Sequence, residues 1–118
     1  MRKYEHLIKK GIVEPMENVP NHGKAPFERI ALNKNPHIAV HIIKDLPKEI
    51  PKYTGLHSHE HDEINLILSE TGELKYKIIL EDEEYIVTSP ATVNIPKGIA
   101  HSAEVIGGEG IFVCIILD

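Results

Sequence analysis

The sequence predicts an all-β fold, a small double-stranded β-helix or jelly-roll barrel, and three observations predict it. Eight short apolar runs follow one another at near-regular spacing: 27–32, 37–43, 63–68, 73–80, 84–88, 91–95, 101–106 and 110–117. Isoleucine and valine fill them, and branching at Cβ suits a pleated surface. None sustains a helical period, and Gly, Pro and Asn punctuate the gaps. Many short strands bury their apolar faces by closing into a sandwich or barrel.

Taken in order, residues 1–26 are read as an N-terminal arm and residues 27–118 as the barrel domain. The segment 14–26 (EPMENVPNHGKAP) holds three prolines and a glycine and is expected to be irregular and exposed. Glu81-Asp82-Glu83 and Gly107-Gly108 are expected to form hairpin turns. The last run is apolar on both faces: Ile111, Val113, Ile115 and Leu117 on one, Phe112, Cys114 and Ile116 on the other. A half-exposed strand would alternate with polar residues, so the second face needs a cover. A partner subunit in a homodimer, or the arm crossing onto one, would supply it; the arm packing within its own chain is the alternative.

Composition excludes several functions. With 13 Lys and Arg against 18 Asp and Glu, the 118-residue chain carries a net charge of -5. No long basic cluster is present to bind nucleic acid or an acidic membrane surface. MRKYEHLIKK lacks the apolar run of a secretory signal, and no stretch is long enough for a membrane span. A single cysteine, Cys114, allows no internal disulfide, so a cytoplasmic location is expected.

Histidine is the unusual component: eight residues, of which His57, His59 and His61 fall within five positions. In an extended strand His57 and His59 point the same way, and Glu63 keeps that parity. Further on, Pro96-Lys97-Gly98 makes a tight turn and His101 begins the run beyond it. Imidazole and carboxylate together are the usual ligands of divalent transition metals. A surface His-rich turn would account for His57 and His59, but not for Glu63 and the Pro96–His101 turn.

These residues resemble the cupin superfamily. Its first motif has the form His-x-His, three or four residues, then Glu, and His57, His59 and Glu63 match it. Gly55 lies nearer to His57 than the usual upstream glycine. The glycine expected after Glu63 is displaced: Glu70 holds its place and Gly72 follows, which implies a slightly longer hairpin. The second motif, Pro-x-Gly-x-x-His, is matched by Pro96, Gly98 and His101, while Pro90 and Val105 replace its leading Gly and trailing Asn. The matched core covers roughly residues 55–105. The resemblance implies one divalent transition-metal ion per chain (Fe, Mn, Zn or Ni), held by His57, His59, Glu63 and His101.

Other residues are weighed beside this set. His61 continues the parity and is expected at the barrel mouth as a neighbour or substrate contact. His41 shares a face with His37, either as a solvent-facing pair or as pocket lining. Asn65 follows Glu63 by two, which points it into the same lumen, where an amide can orient a ligand or a water. Asn94 is a weaker candidate of the same kind. His6 and His22 are expected to be exposed, and Cys114 to be a small buried hydrophobe. The facing of Lys75, Tyr76 and Lys77 is left open. If the metal is octahedral, four protein ligands leave two positions open, the mark of a reactive site. The expected function is a metal-dependent enzyme, of oxygenase or isomerase type, acting on a small polar metabolite; a non-catalytic cupin binding a small molecule such as a sugar is the alternative.

Overall fold

Each apolar run becomes a strand because alternate side chains find a common interior. The computed structural model describes residues 2–19, 22, 23 and 25–117. Among these, nine strands form: β1 (Ile12–Pro15), β2 (Glu28–Asn33), β3 (His37–Ile43), β4 (Glu63–Leu68), β5 (Lys75–Leu80), β6 (Glu83–Thr88), β7 (Ala91–Ile95), β8 (His101–Gly107) and β9 (Gly110–Ile116). They build two antiparallel sheets, one of six strands in the order β1-β2-β3-β9-β4-β7, the other of three in the order β6-β5-β8. The all-β jelly-roll expectation holds. No helix among the described residues is long and apolar enough to cross a membrane.

The chain winds as a folded-back ribbon. β4 pairs with β9 and β5 with β8, so the segment from β4 to β5 runs beside the segment from β8 to β9 as both pass from one sheet to the other. Two expected hairpins are therefore corrected. Ser69–Leu74 and Gly108-Glu109 are crossings between sheets; of the expected turns, Glu81-Asp82 joins two paired strands as a hairpin. The crossings nest closely. A side chain at Gly108, whose φ is 88°, would overlap the carbonyl of Glu73. Local turn residues look alike in a hairpin and in a crossing, which is why the sequence reading conflated them.

Between the sheets lies the core. Ile43, Ile67, Leu74, Tyr76, Ile78, Val105 and Phe112 are its buried centre. Tyr76 stacks on Phe112 with ring centroids 4.5 Å apart. Full burial of each aliphatic side chain contributes about 1.5–3 kcal/mol relative to exposure. Tyr76 faces this core, which leaves Lys75 and Lys77 on the outer side of β5.

The N-terminal segment departs from expectation. β1 pairs with β2 of the same chain, and a 3-10 turn over Met16–Asn18 follows it. Met16 and Val19 are buried in the core. The prolines mask this on a propensity reading, because Pro15 ends an edge strand, where a missing N–H costs nothing. Pro20, Asn21 and Lys24 of this stretch lie outside the described residues.

Gly108→Ala is expected to lower the free energy of unfolding by at least about 2 kcal/mol, since it joins an αL penalty to a backbone overlap. Gly72→Ala, at φ 73° in open space, should cost only the αL penalty of about 1–2 kcal/mol. Urea unfolding of the two variants checks the ranking; equal losses would mean that the crossings do not nest.

Candidate metal centre

The site begins with a loop bolted onto a strand. Tyr53 N donates to Glu104 Oε2 at 3.1 Å, and Val105 N donates to Tyr53 Oη at 2.8 Å. The loop therefore follows β8 from its middle toward its start. There His57 and His101 exchange two backbone hydrogen bonds, His57 N to His101 O at 3.0 Å and His101 N to His57 O at 2.7 Å. A second pair of bonds ties the same loop to the Pro96–Gly98 turn: Gly98 N donates to His59 O at 2.8 Å, and Lys97 N to Asp62 Oδ1 at 2.9 Å. Gly98 sits at φ 85°, a backbone state that glycine adopts without strain. The sequence motif thus has a mechanical meaning. The turn holds the histidine loop while β8 carries His101 beneath it.

This brings three imidazoles together. One ring nitrogen from each of His57, His59 and His101 lies within 4.8 Å of the others. Glu63, first residue of β4, enters from the opposite sheet. Its Oε1 is 3.1 Å from His101 Nε2 and 3.4 Å from His59 Nε2. Its Oε2 accepts from Asn65 Nδ2 at 2.8 Å. The four residues singled out by the motifs thus lie together, three imidazoles mutually close and Glu63 against two of them, His59 and His101.

The hydrogen bonds behind the rings decide what that cluster can hold. His57 Nδ1 is 2.8 Å from the Gly55 carbonyl and His101 Nδ1 is 2.9 Å from the Ile99 carbonyl. A carbonyl only accepts, so each Nδ1 must donate, and in a neutral ring Nε2 then carries the lone pair. At His101 that lone pair faces the Glu63 carboxylate. Two acceptors at 3.1 Å require a cation between them, either a proton or a metal ion. With a proton, the pair is an imidazolium and a carboxylate. Burial lowers the pKa of His101, but its bonds to Glu63 and Ile99 more than offset this and hold it above the ordinary value. Burial likewise pushes Glu63 upward, and the bonds from His101 and Asn65 bring it below the ordinary carboxylate value. His59 is kept below its ordinary value chiefly by burial, hence neutral and able to ligate. The donor set and its fixed tautomers fit a divalent transition metal.

Beside the cluster lies a cavity of about 240 Å³. His57, His59, Glu63 and His101 form one end of it. Ala39, Phe112, Cys114 and Ile116 make a largely apolar wall. Burial pushes the Cys114 thiol well above its ordinary pKa, so it remains a neutral wall group. Arg29, His37, His41 and His22 line the cavity too: His37 shares a row with Ile116 and Glu63 across β3, β9 and β4, whereas His41 lies four residues along β3 from that row.

Other expected site residues fall in various places. His41 is only 4 % exposed, so the solvent-facing alternative is overturned and it lines the cavity. Burial, then neighbouring cationic groups, bring its pKa down to about 3. His22 is half-buried against the cavity rather than exposed, while His6 is exposed as expected. Asn65 is completely buried behind Glu63 and is not part of the cavity lining; its amide orients the carboxylate. His61 is exposed on the outer bend and does not line the cavity. Asn94 is exposed on β7.

Sequence reasoning missed Arg29. In FERIAL the set Phe27, Arg29, Ala31 competes with Ile30 and Leu32 for the inward face, and the aliphatic pair looks the better candidate. The structure turns Arg29 inward, at 8 % exposure. The usable signal was a cation within an otherwise apolar run, which needs a partner if it is buried. The partner is Glu14 of β1, paired with it directly.

No family model and no curated protein matches the sequence. Solved structures do match in shape. A predicted oxalate decarboxylase from Thermotoga maritima superposes with a TM-score of 0.64 at 18% identity, covering 98% of this chain and 96% of that one. An RmlC-like cupin from Shewanella frigidimarina gives 0.56 at 15% identity over 76% of this chain and 74% of its own. The structure of Fe(II) HppE gives 0.62 at 12% identity, covering 99% of this chain but 59% of that protein. At such identities the likeness is one of fold, and the chain has the fold of the RmlC-like cupins.

Proposed function

We propose that the protein is a metal-dependent cupin enzyme. It binds one divalent transition-metal ion per chain through His57, His59, Glu63 and His101, and acts on a small polar metabolite held in the adjoining cavity. One observation carries the reading: the His101 and His59 Nε2 atoms face Glu63 Oε1 at 3.1 and 3.4 Å, while backbone carbonyls hold the outer nitrogens of His57 and His101. A structural His–Glu pair would not need three converging imidazoles. Similarity in fold to an Fe(II) protein and to a predicted oxalate decarboxylase supports the choice of chemistry by analogy only.

The bound ion would supply Lewis acidity, or redox chemistry if it is iron. The chain's own residues do the rest. Asn65 orients Glu63, and the Gly55 and Ile99 carbonyls fix the ring tautomers and raise their basicity. Ala39, Phe112 and Ile116 exclude bulk water from one side of the ligand, which strengthens polar contacts inside. The cavity admits a metabolite of modest size, and isomerase or oxygenase chemistry suits an ion with open positions. A reducing, cytoplasmic setting would keep Cys114 a free thiol beside Glu63.

A homodimer belongs to the same proposal. The outer face of the large sheet carries three aliphatic rows, among them Ile42–Ile111–Leu68 and Val40–Val113–Leu66 across β3, β9 and β4. Ile111 and Leu68 are 40% and 45% exposed. A contiguous patch of this kind marks an association surface, and a second copy would cover it symmetrically.

Metal analysis of protein purified without a histidine tag should find about one equivalent per chain, and His101→Ala should lose most of it. Undiminished metal in that variant would sink the assignment. The stabilisation given by the metal should also grow with pH. In metal-free protein the raised pKa of His101 contributes stability that is full below its ordinary value of 6.5 and is lost as pH rises through the folded value. Metal displaces that proton, so the gap in melting temperature between loaded and chelator-treated protein should widen from pH 6 to pH 8. Sedimentation should give twice the 13.3 kDa chain mass. The double variant Leu68→Lys/Ile111→Lys should sediment as a folded monomer; a dimer that survives it would place the interface elsewhere.

A further inference from the structure

The part of the cavity lined by Arg29 and His41 is itself built for a ligand. Arg29 is buried, and two contacts account for part of its guanidinium: Nη1 pairs with Glu14, and Nη2 lies 3.4 Å from His37 Nε2. A guanidinium has five N–H donors, and Glu14 and His37 engage two of its nitrogens. Directly across the β2–β3 ladder from Arg29 stands His41. Its ring is boxed by Phe27 and Phe112, at centroid distances of 5.1 and 5.4 Å. Its Nδ1 is buried and has no hydrogen-bond partner. An orphaned polar atom in so enclosed a place costs free energy unless a ligand or water meets it. Both residues line the same cavity as the metal cluster.

We propose that Arg29 and His41 form a carboxylate-binding subsite, so that the ligand is a small organic acid with two functional ends. One end chelates the metal, and a carboxylate at the other takes donors from Arg29 and the His41 ring. This rests on the proposed metal site and deepens it by naming the substrate class. The chemistry fits. A planar guanidinium matches a carboxylate in shape and charge. The neutral ring adds a donor without a second buried cation. The wall of Ala39, Phe112 and Ile116 between the ends suits a short carbon chain. Neutral sugars would leave the guanidinium without an anionic partner beyond Glu14.

The test uses zinc-loaded full-length protein and three acids, malate, tartrate and 2-hydroxyglutarate, each compared with its monoamide at the distal carboxyl. The chelating end is then constant and only the distal end changes. Calorimetric titration should show at least one acid binding roughly 10- to 100-fold more tightly than its monoamide, the effect of a hydrogen bond to a charged group. Arg29→Met and His41→Phe should each reduce this preference while zinc content stays at one equivalent. Because Arg29→Met leaves Glu14 unpaired, Glu14→Gln/Arg29→Met serves as a second variant in which fold is retained. Equal binding of every acid and its amide, or a preference that persists in the Arg29 variants, would overturn the subsite. Protein that retains no zinc, yet prefers acids through Arg29, would refute the metal reading and leave the subsite standing.

Discussion

The exchange of two backbone hydrogen bonds between His57 and His101 is the constraint on which the site depends. It joins a loop from one end of the barrel to the first residue of β8, and sets two imidazoles at a ring separation of 4.6 Å. His101 is held by the pairing of β8 with β5, and the bridge passes that position on to His57. The loop has no long strand pairing of its own, and the Pro96–Gly98 turn is tied to it through His59 and Asp62. With the bridge formed, His59 and Glu63 need only short paths to reach the same point. The geometry is thus fixed by main-chain bonds that do not vary with side-chain rotamer, which is how a site is held to the tolerance that ligation needs.

The two sheets contribute unequally to this arrangement. The clustered histidines come from the loop and from the three-stranded sheet, whereas Glu63 and its support Asn65 come from the six-stranded one. A cation at the cluster would therefore link both layers, and its binding free energy would add to folding free energy. Without metal, a proton between His101 and Glu63 performs part of the same role, at a pH-dependent strength. The part of the cavity lined by Arg29 and His41 is likewise a joint construction: β2, β3 and β9 bring Arg29, His41 and Phe112 together, and β1 adds Glu14. The N-terminal strand thus belongs to the architecture of the cavity.

Much was legible in the residues. Short Ile- and Val-rich runs bounded by Gly, Pro and Asn located the strands, and three of them coincide with β3, β4 and β7. His-x-His with Glu63, and Pro-x-Gly with His101, marked the four residues that converge, because spacing within a strand or tight turn is a local property. What was not legible was anything set by the partner across a ladder. Arg29 was missed and His41 left open, because both faces of their strands carry aliphatic side chains. Asn65 faces inward, but its Nδ2 donates to Glu63 and the residue does not line the cavity. His61 kept the right parity on paper and lost it in a bend, where no ladder maintains alternation.

By itself, then, the sequence determined an all-β chain, the positions of its strands from β2 onward and a set of ligand-type residues at two turns. These follow from side-chain stiffness, period-two patterning and turn chemistry, all of which act over a few residues. Tertiary structure decided which turns are hairpins and which cross between sheets, that Met16 and Val19 belong to the core, and that a buried arginine shares a cavity with the histidine cluster. Those outcomes depend on contacts between residues far apart in the chain, such as Tyr53 with Val105 and Glu63 with His101, and no local pattern encodes which distant partner a strand will meet.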